Sequence, residues 1–156
     1  MDPIQLLKKQ HREVEGFFKK VEKTEAADER RQLMEQIRSA LELHTRIEEE
    51  IFYPAVRSLD TKKATQMIDE AYEEHHVVKL VLKELPSVDP EDERFEAKMT
   101  VLKELVHHHV EEEEEEIFKL ARKLGEDELD TLGERMTAEA REEQERAGAA
   151  RRRAAA

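Results

Sequence analysis

Four stretches of the chain place their apolar residues on stripes that step by alternating threes and fours, the spacing of one face of a helix. The first stripe is Ile4, Leu7, His11, Val14, Phe18 and Val21. The second is Met34, Ile37, Leu41, His44, Glu48, Ile51 and Ala55, and the third is Ala64, Ile68, Ala71, His75, Val78, Leu82 and Leu85. The fourth runs through Phe95, Met99, Leu102, Val106, His109, Glu113, Ile117, Leu120 and Leu124. No segment alternates with period two, so no strand is expected.

The punctuation between stripes sets the expected ends. Asp2-Pro3 is a start signal, a capping side chain followed by proline at the first helical position. Thr24 to Asp28 breaks the first stripe, and the second helix should begin near Asp28. Pro54 lies inside the second pattern and is expected to kink or end its last turns. Asp60 reads as the next cap, Pro86 stops the third helix, Asp89-Pro90 repeats the opening signal, and Gly125 closes the fourth. Four long helices with short connections predict an all-α, antiparallel up-down-up-down four-helix bundle over residues 1–125. Residues 126–156 read as a short helix around Leu129, Leu132 and Met136, then a low-complexity tail whose Arg151 to Arg153 form a frayed, solvated end.

Composition narrows the chemistry. At 156 residues the chain has the size of one domain. The 42% of charged residues beside 38% hydrophobic ones suits amphipathic helices. The absence of cysteine excludes disulfides, iron–sulfur clusters and thiolate nucleophiles, so a metal site must use His, Asp or Glu. A net charge of −12 speaks against nucleic acid as a partner. No apolar run nears the roughly 18 residues of a membrane span, and MDPIQLLKKQ lacks the order of a signal peptide. A cytoplasmic location is therefore expected. No Gly-rich phosphate loop or GxSxG is present, and Ser39, Ser58 and Ser87 stand apart from any triad context.

Polar residues interrupt the stripes. His11, His44, Glu48, His75, His109 and Glu113 all occupy positions that the period assigns to the core. A lone histidine there is commonly a structural residue, but a buried ionised carboxylate without a partner costs several kcal/mol. His44 and His75 lie at equal depth, roughly 21 Å from the end that their helices share. The pattern is also duplicated: His11 to His44 spans 33 residues, His75 to His109 spans 34, and each second histidine opens an HxxxE pair. On a helix such a pair points one way. Four imidazoles and two carboxylates exceed what one tetrahedral zinc takes and suit two metals, with iron ahead of manganese or zinc. Within HHHVEEEEEE, His109 and Glu113 are the expected ligands. His108 and Glu112 lie on the neighbouring stripe as outer support, and His107 reads as solvated surface.

The order H…HxxxE…H…HxxxE, with EEEIFYP from Glu48 and EEHH from Glu73, resembles the hemerythrin-like (HHE cation-binding) family over roughly Ile4 to Leu124. The resemblance implies a four-helix bundle around a non-haem, often oxo-bridged, di-iron centre. It assigns His11, His44, Glu48, His75, His109 and Glu113 as ligands, with the glutamates bridging. It also implies a small partner: dioxygen, hydrogen peroxide or nitric oxide. Two departures stand out. Oxygen-carrying members have a second histidine four residues along the third helix, where this chain has Lys79, and their last carboxylate would select Glu114. The stripe favours Glu113; His76, Tyr53 and Tyr72 are alternative donors, none of them on a core stripe. The lost imidazole makes peroxide or nitric oxide chemistry as plausible as oxygen carriage. A metal-responsive, iron-sensing binding module and a metal-free helical interaction protein are the competing readings.

Overall fold

A computed structural model describes residues 1–156, and every regular element in it is helical. α1 is Pro3–Lys23. α2 begins as Ala27–Ile47, passes through a π-helical turn at Glu48–Phe52 and resumes as Tyr53–Arg57. α3 is Lys62–Glu84, ending in a 3-10 turn at Leu85–Ser87. α4 repeats the design of α2: Glu93–Glu112, a π turn at Glu113–Ile117, then Phe118–Ala121 and a 3-10 turn at Arg122–Leu124. α1 to α4 form the antiparallel bundle, and α5 (Glu126–Ala155) lies against it.

The caps are partly those expected. Asp2 accepts a hydrogen bond from the Ile4 N–H at 3.0 Å, with Pro3 opening α1. At α3 the cap is Thr61, which accepts from Ala64 N–H at 3.1 Å. Asp60 instead turns the chain at φ 53°, in the left-handed region that an Asp tolerates. Asp92, not Asp89, caps α4 by accepting from Arg94 N–H at 2.9 Å; Asp89 shapes the preceding turn through Glu91 N–H. Gly125, at φ 91°, makes the corner into α5.

Pro54 does not end α2. In the π turn Tyr53 N–H reaches the Glu48 carbonyl five residues back. Pro54 has no N–H to offer the next carbonyl, that of Glu49, and the Tyr72 hydroxyl donates to it instead at 3.0 Å. The wider turn also slips the buried face by one residue. The expected Ile51 and Ala55 are only half-buried, while Phe52, Tyr53 and Val56 are buried completely. The same slip in α4 adds Phe118 and Ala121 to the core beside Ile117 and Leu120.

Two apolar cores result, with the polar layer between them. One gathers Ile4, Leu7, Ile47, Phe52, Ile68 and Ile117 with Leu132 and Met136 of α5. The other gathers Val14, Phe18, Ile37, Leu41, Val78, Leu82, Phe95 and Leu102. Each fully buried side chain of this size contributes about 1.5–3 kcal/mol. The C-terminal helix is neither short nor frayed: it runs unbroken for 30 residues, and its first turns complete a core of the bundle. Gly133 is required there, since a Cβ would collide with the Met1 carbonyl. Farther along, Arg46 of α2 bonds Glu143 at 2.7 Å, and Arg151 to Arg153 are helical and exposed. No helix is long and apolar enough to cross a membrane.

Candidate metal centre

Each of the four bundle helices delivers an imidazole to one layer, and α2 and α4 each add a carboxylate one turn after it. His11, His44, Glu48, His75, His109 and Glu113 are all buried, the two glutamates completely. The imidazoles pair in the same way on both sides. His11 and His44 bring their Nε2 atoms to 3.1 Å with rings at 70°; His75 and His109 bring theirs to 3.0 Å with rings at 68°.

The carboxylates lie between the pairs and present one oxygen to each. Glu48 Oε1 is 2.7 Å from His44 Nε2 while its Oε2 is 2.9 Å from His75 Nε2. Glu113 Oε1 is 3.1 Å from His11 Nε2 and its Oε2 is 3.4 Å from His109 Nε2. Two sets of donor atoms thus lie close enough to share a cation: His11, His44, Glu48 and Glu113 on one side, and Glu48, His75 and His109 on the other.

The outward nitrogens fix the tautomers. His11 Nδ1–H donates to Glu114 at 2.9 Å, His44 Nδ1–H to the side-chain amide oxygen of Gln10 at 2.7 Å, and His109 Nδ1–H to Glu74 at 2.8 Å. Carboxylates only accept, so the proton belongs on Nδ1 and the lone pair of Nε2 faces inward. Inward-facing lone pairs 3 Å apart beside two carboxylates repel unless a cation lies among them. Glu48 Oε1 approaches His44 without hydrogen-bond alignment, and neither it nor Glu113 Oε1 has a hydrogen-bond donor. An all-acceptor cluster of nitrogen and oxygen, buried and short of donors, fits hard-to-borderline metal ions.

Electrostatics without a metal point the same way. Burial opposes a charge on His11, yet the adjacent carboxylates of Glu113 and Glu48 overcome it and raise its pKa to about 10. His109 is likewise raised well above its ordinary value: burial opposes this, but Glu113, Glu48 and Glu74 prevail. Burial pushes Glu48 upward, but His44 and the other imidazoles hold it well below the usual carboxylate range. Glu113 is lowered too, against both burial and the adjacent Glu48. The shifts of the two imidazoles favour a proton on His11 and on His109, where a cation would serve.

Several side chains of the layer lie off the expected stripes. Tyr53, carried inward by the π turn, sets its hydroxyl 2.5 Å from Glu113 Oε2 and 3.0 Å from Glu48 Oε2. It also lies 3.3 and 3.1 Å from the Nε2 atoms of His75 and His109. Burial, then Glu113 and Glu48, raise its pKa well above the ordinary value, so the hydroxyl keeps its proton. Phe118, five residues after Glu113 as Tyr53 is after Glu48, stacks on His11 at 6.0 Å and 4°. Glu114 lies on the outer side of His11 and accepts from its Nδ1–H, while Glu113 is the buried carboxylate of the layer. Tyr72 serves the Glu49 carbonyl, and His76 is exposed. His108 and Glu112 touch Glu74, itself the support of His109. Aligning the two halves separately on their first histidines and on their core glutamates would have found Gln10, Glu49, Glu74 and Glu114: one precedes each first histidine and one follows each core glutamate.

The Hemerythrin HHE cation binding domain family matches residues 2–121. The chain is similar to a hemerythrin HHE cation binding domain-containing protein of known crystal structure from Mycobacterium kansasii, with 26% identity and a TM-score of 0.82. That match covers 94% of this chain and 90% of the other. No curated protein is a significant sequence match. Fold, duplicated His/Glu cluster and family match agree: the chain belongs to the hemerythrin HHE cation-binding family.

Proposed function

We propose that the layer holds two iron ions and that the chain binds or processes a small oxidant: dioxygen, hydrogen peroxide or nitric oxide. Slow, catalase-like consumption of peroxide is the activity this reading favours. One observation carries it: four inward Nε2 atoms converge with two carboxylates that each offer an oxygen to both sides. His11, His44, Glu48 and Glu113 would hold one ion, and Glu48, His75 and His109 the other, with Glu113 Oε2 and the Tyr53 oxygen at hand. Iron, when bound, supplies reversible one-electron chemistry toward such ligands.

The chain's own residues shape the rest. Val14, Leu41, Val78, Val106 and Val110 line a narrow pocket that reaches the four imidazoles. Its narrow, mostly apolar wall admits a small neutral molecule and disfavours anions. The Tyr53 hydroxyl belongs to the opposite core, where it can hold or pass a proton at its oxygen between Glu48 Oε2 and Glu113 Oε2. Because every bundle helix contributes a ligand, loading also bears on packing, which keeps an iron-responsive binding role as the second reading.

Protein from iron-supplemented cells, purified without a histidine tag, should carry about two irons per chain by plasma mass spectrometry. Mixing it with hydrogen peroxide should release dioxygen, one per two peroxides consumed. Two bound irons with no oxygen release and no spectral change would remove the peroxide function. A large metal-dependent shift in melting temperature would then favour the iron-responsive role.

A further inference from the structure

We infer that Lys79 is a positioning residue. By holding Glu49 away from His75 it leaves His75 the loosest of the four imidazoles, and the His75–His109 half is the one that exchanges its metal. The inference rests on the two-metal reading and adds an order to it.

Three imidazoles are anchored from outside at 2.7–2.9 Å, by Glu114, Gln10 and Glu74. The fourth is not. His75 is 1% exposed, yet its Nδ1 has no hydrogen-bond partner. The nearest carboxylate oxygen, Glu49 Oε2, stands off at 3.4 Å. Glu49 follows Glu48 as Glu114 follows Glu113, so by the internal repeat it is the residue that should anchor His75. Its carboxylate is engaged elsewhere: Lys79 Nζ lies 2.9 and 2.6 Å from its two oxygens. A charged ammonium competes better for a carboxylate than a neutral imidazole N–H does. The corresponding position of α1, four residues after His11, is Glu15, which pairs with Lys19 and leaves Glu114 free. An anchored Nδ1–H orients a metal-binding imidazole and raises its basicity, so the unanchored ring binds more weakly.

The test uses the full chain loaded with about two equivalents of cobalt(II), whose loss to excess EDTA is followed by visible absorbance. The wild type should release one equivalent about tenfold faster than the other. Lys79→Met frees Glu49 to take the His75 Nδ1–H and should slow the fast phase about tenfold. Lys79→Arg keeps a cation on Glu49 and should behave as the wild type; the slow phase should be the same in all three. Proton spectra of the cobalt form locate the effect. One of four shifted Nδ1–H signals should exchange rapidly with solvent in the wild type and persist in Lys79→Met. An unchanged fast phase in Lys79→Met, or Lys79→Arg behaving like Lys79→Met, overturns the inference. A chain that takes up fewer than two metals fails earlier, at the two-metal reading itself.

Discussion

The two halves of the metal layer share a skeleton and differ in a few side chains, two of which set their character. Each half has an imidazole pair with Nε2 atoms close to 3 Å apart and a π turn after the glutamate that brings an aromatic ring inward. On the His11–His44 side that ring is Phe118, and the carboxylate oxygens there, Glu48 Oε1 and Glu113 Oε1, have no donor. On the His75–His109 side the ring is Tyr53, whose hydroxyl serves both Oε2 atoms, and Lys79 draws off the anchor of His75. One hydroxyl and one ammonium turn a duplicated site into a rigid acceptor cage and a softer partner with a proton of its own. Duplication supplies the geometry, and departures from it supply the division of labour.

The largest effect should come from removing what the halves share. Glu48→Ala deletes an oxygen from both sides and should drop metal content from about two to below one per chain. It should also cost about 3–5 kcal/mol of metal-free stability in urea, because protonated imidazoles lose their buried counter-charge. A variant that keeps one full metal equivalent would show that the carboxylate belongs to one half alone.

Erasing the hydroxyl is next. Tyr53→Phe makes the two aromatic walls alike and strips Glu48 Oε2 and Glu113 Oε2 of their O–H donor. Metal content should hold while metal-free stability falls by about 1–3 kcal/mol and peroxide consumption falls about a hundredfold. Unaltered peroxide kinetics would confine Tyr53 to packing.

The smallest effect is one of slope. His11 rises from 6.5 to about 10 in the metal-free fold, so its contribution is complete below 6.5 and is lost as pH climbs toward 10. His109 acts in the same direction. Glu48 and Glu113 are depressed, so their contribution is present above 4.5 and is lost as pH falls through their lowered values. Melting temperature of the metal-free chain should therefore decline from pH 6.5 to 9. Over the same range the margin by which metal stabilises should widen, because protons no longer compete for Nε2. A flat metal-free profile would mean that the imidazoles carry no extra protons.

Much of this was legible in the sequence. The stripes located the bundle and put all six polar residues into one layer, because the helical period holds wherever a helix is regular. The reading failed where the period changes. Extrapolating 3.6 residues per turn past Glu48 aimed Ile51 and Ala55 inward and left Tyr53 outside, since nothing in EEEIFYP announces a π turn and Pro54 reads as a breaker. Lys79 was legible only as a missing imidazole. Its action passes through Glu49, a partner across a helix interface that one-dimensional spacing does not reveal. The C-terminal helix was underestimated because its contacts beyond Met136, Ala140 on the core and Glu139 and Glu143 on Arg46, are with other helices, and its alanine- and arginine-rich end has little pattern of its own.

The π turns can also be viewed as a matter of reading frame. In α2 and in α4 the helix has in effect absorbed one surplus residue directly after the core glutamate. Upstream, every side chain keeps the register that delivers the HxxxE pair; downstream, every side chain is offset by one. Winding either turn as an ordinary helix with that residue retained would rotate all that follows by about 100°. The imidazoles would stay in place, but Tyr53 or Phe118 would leave the layer together with the core residues behind it. Deleting one residue from a turn would instead let an ordinary helix carry the same downstream register, so chain length and helix pitch are matched at both positions.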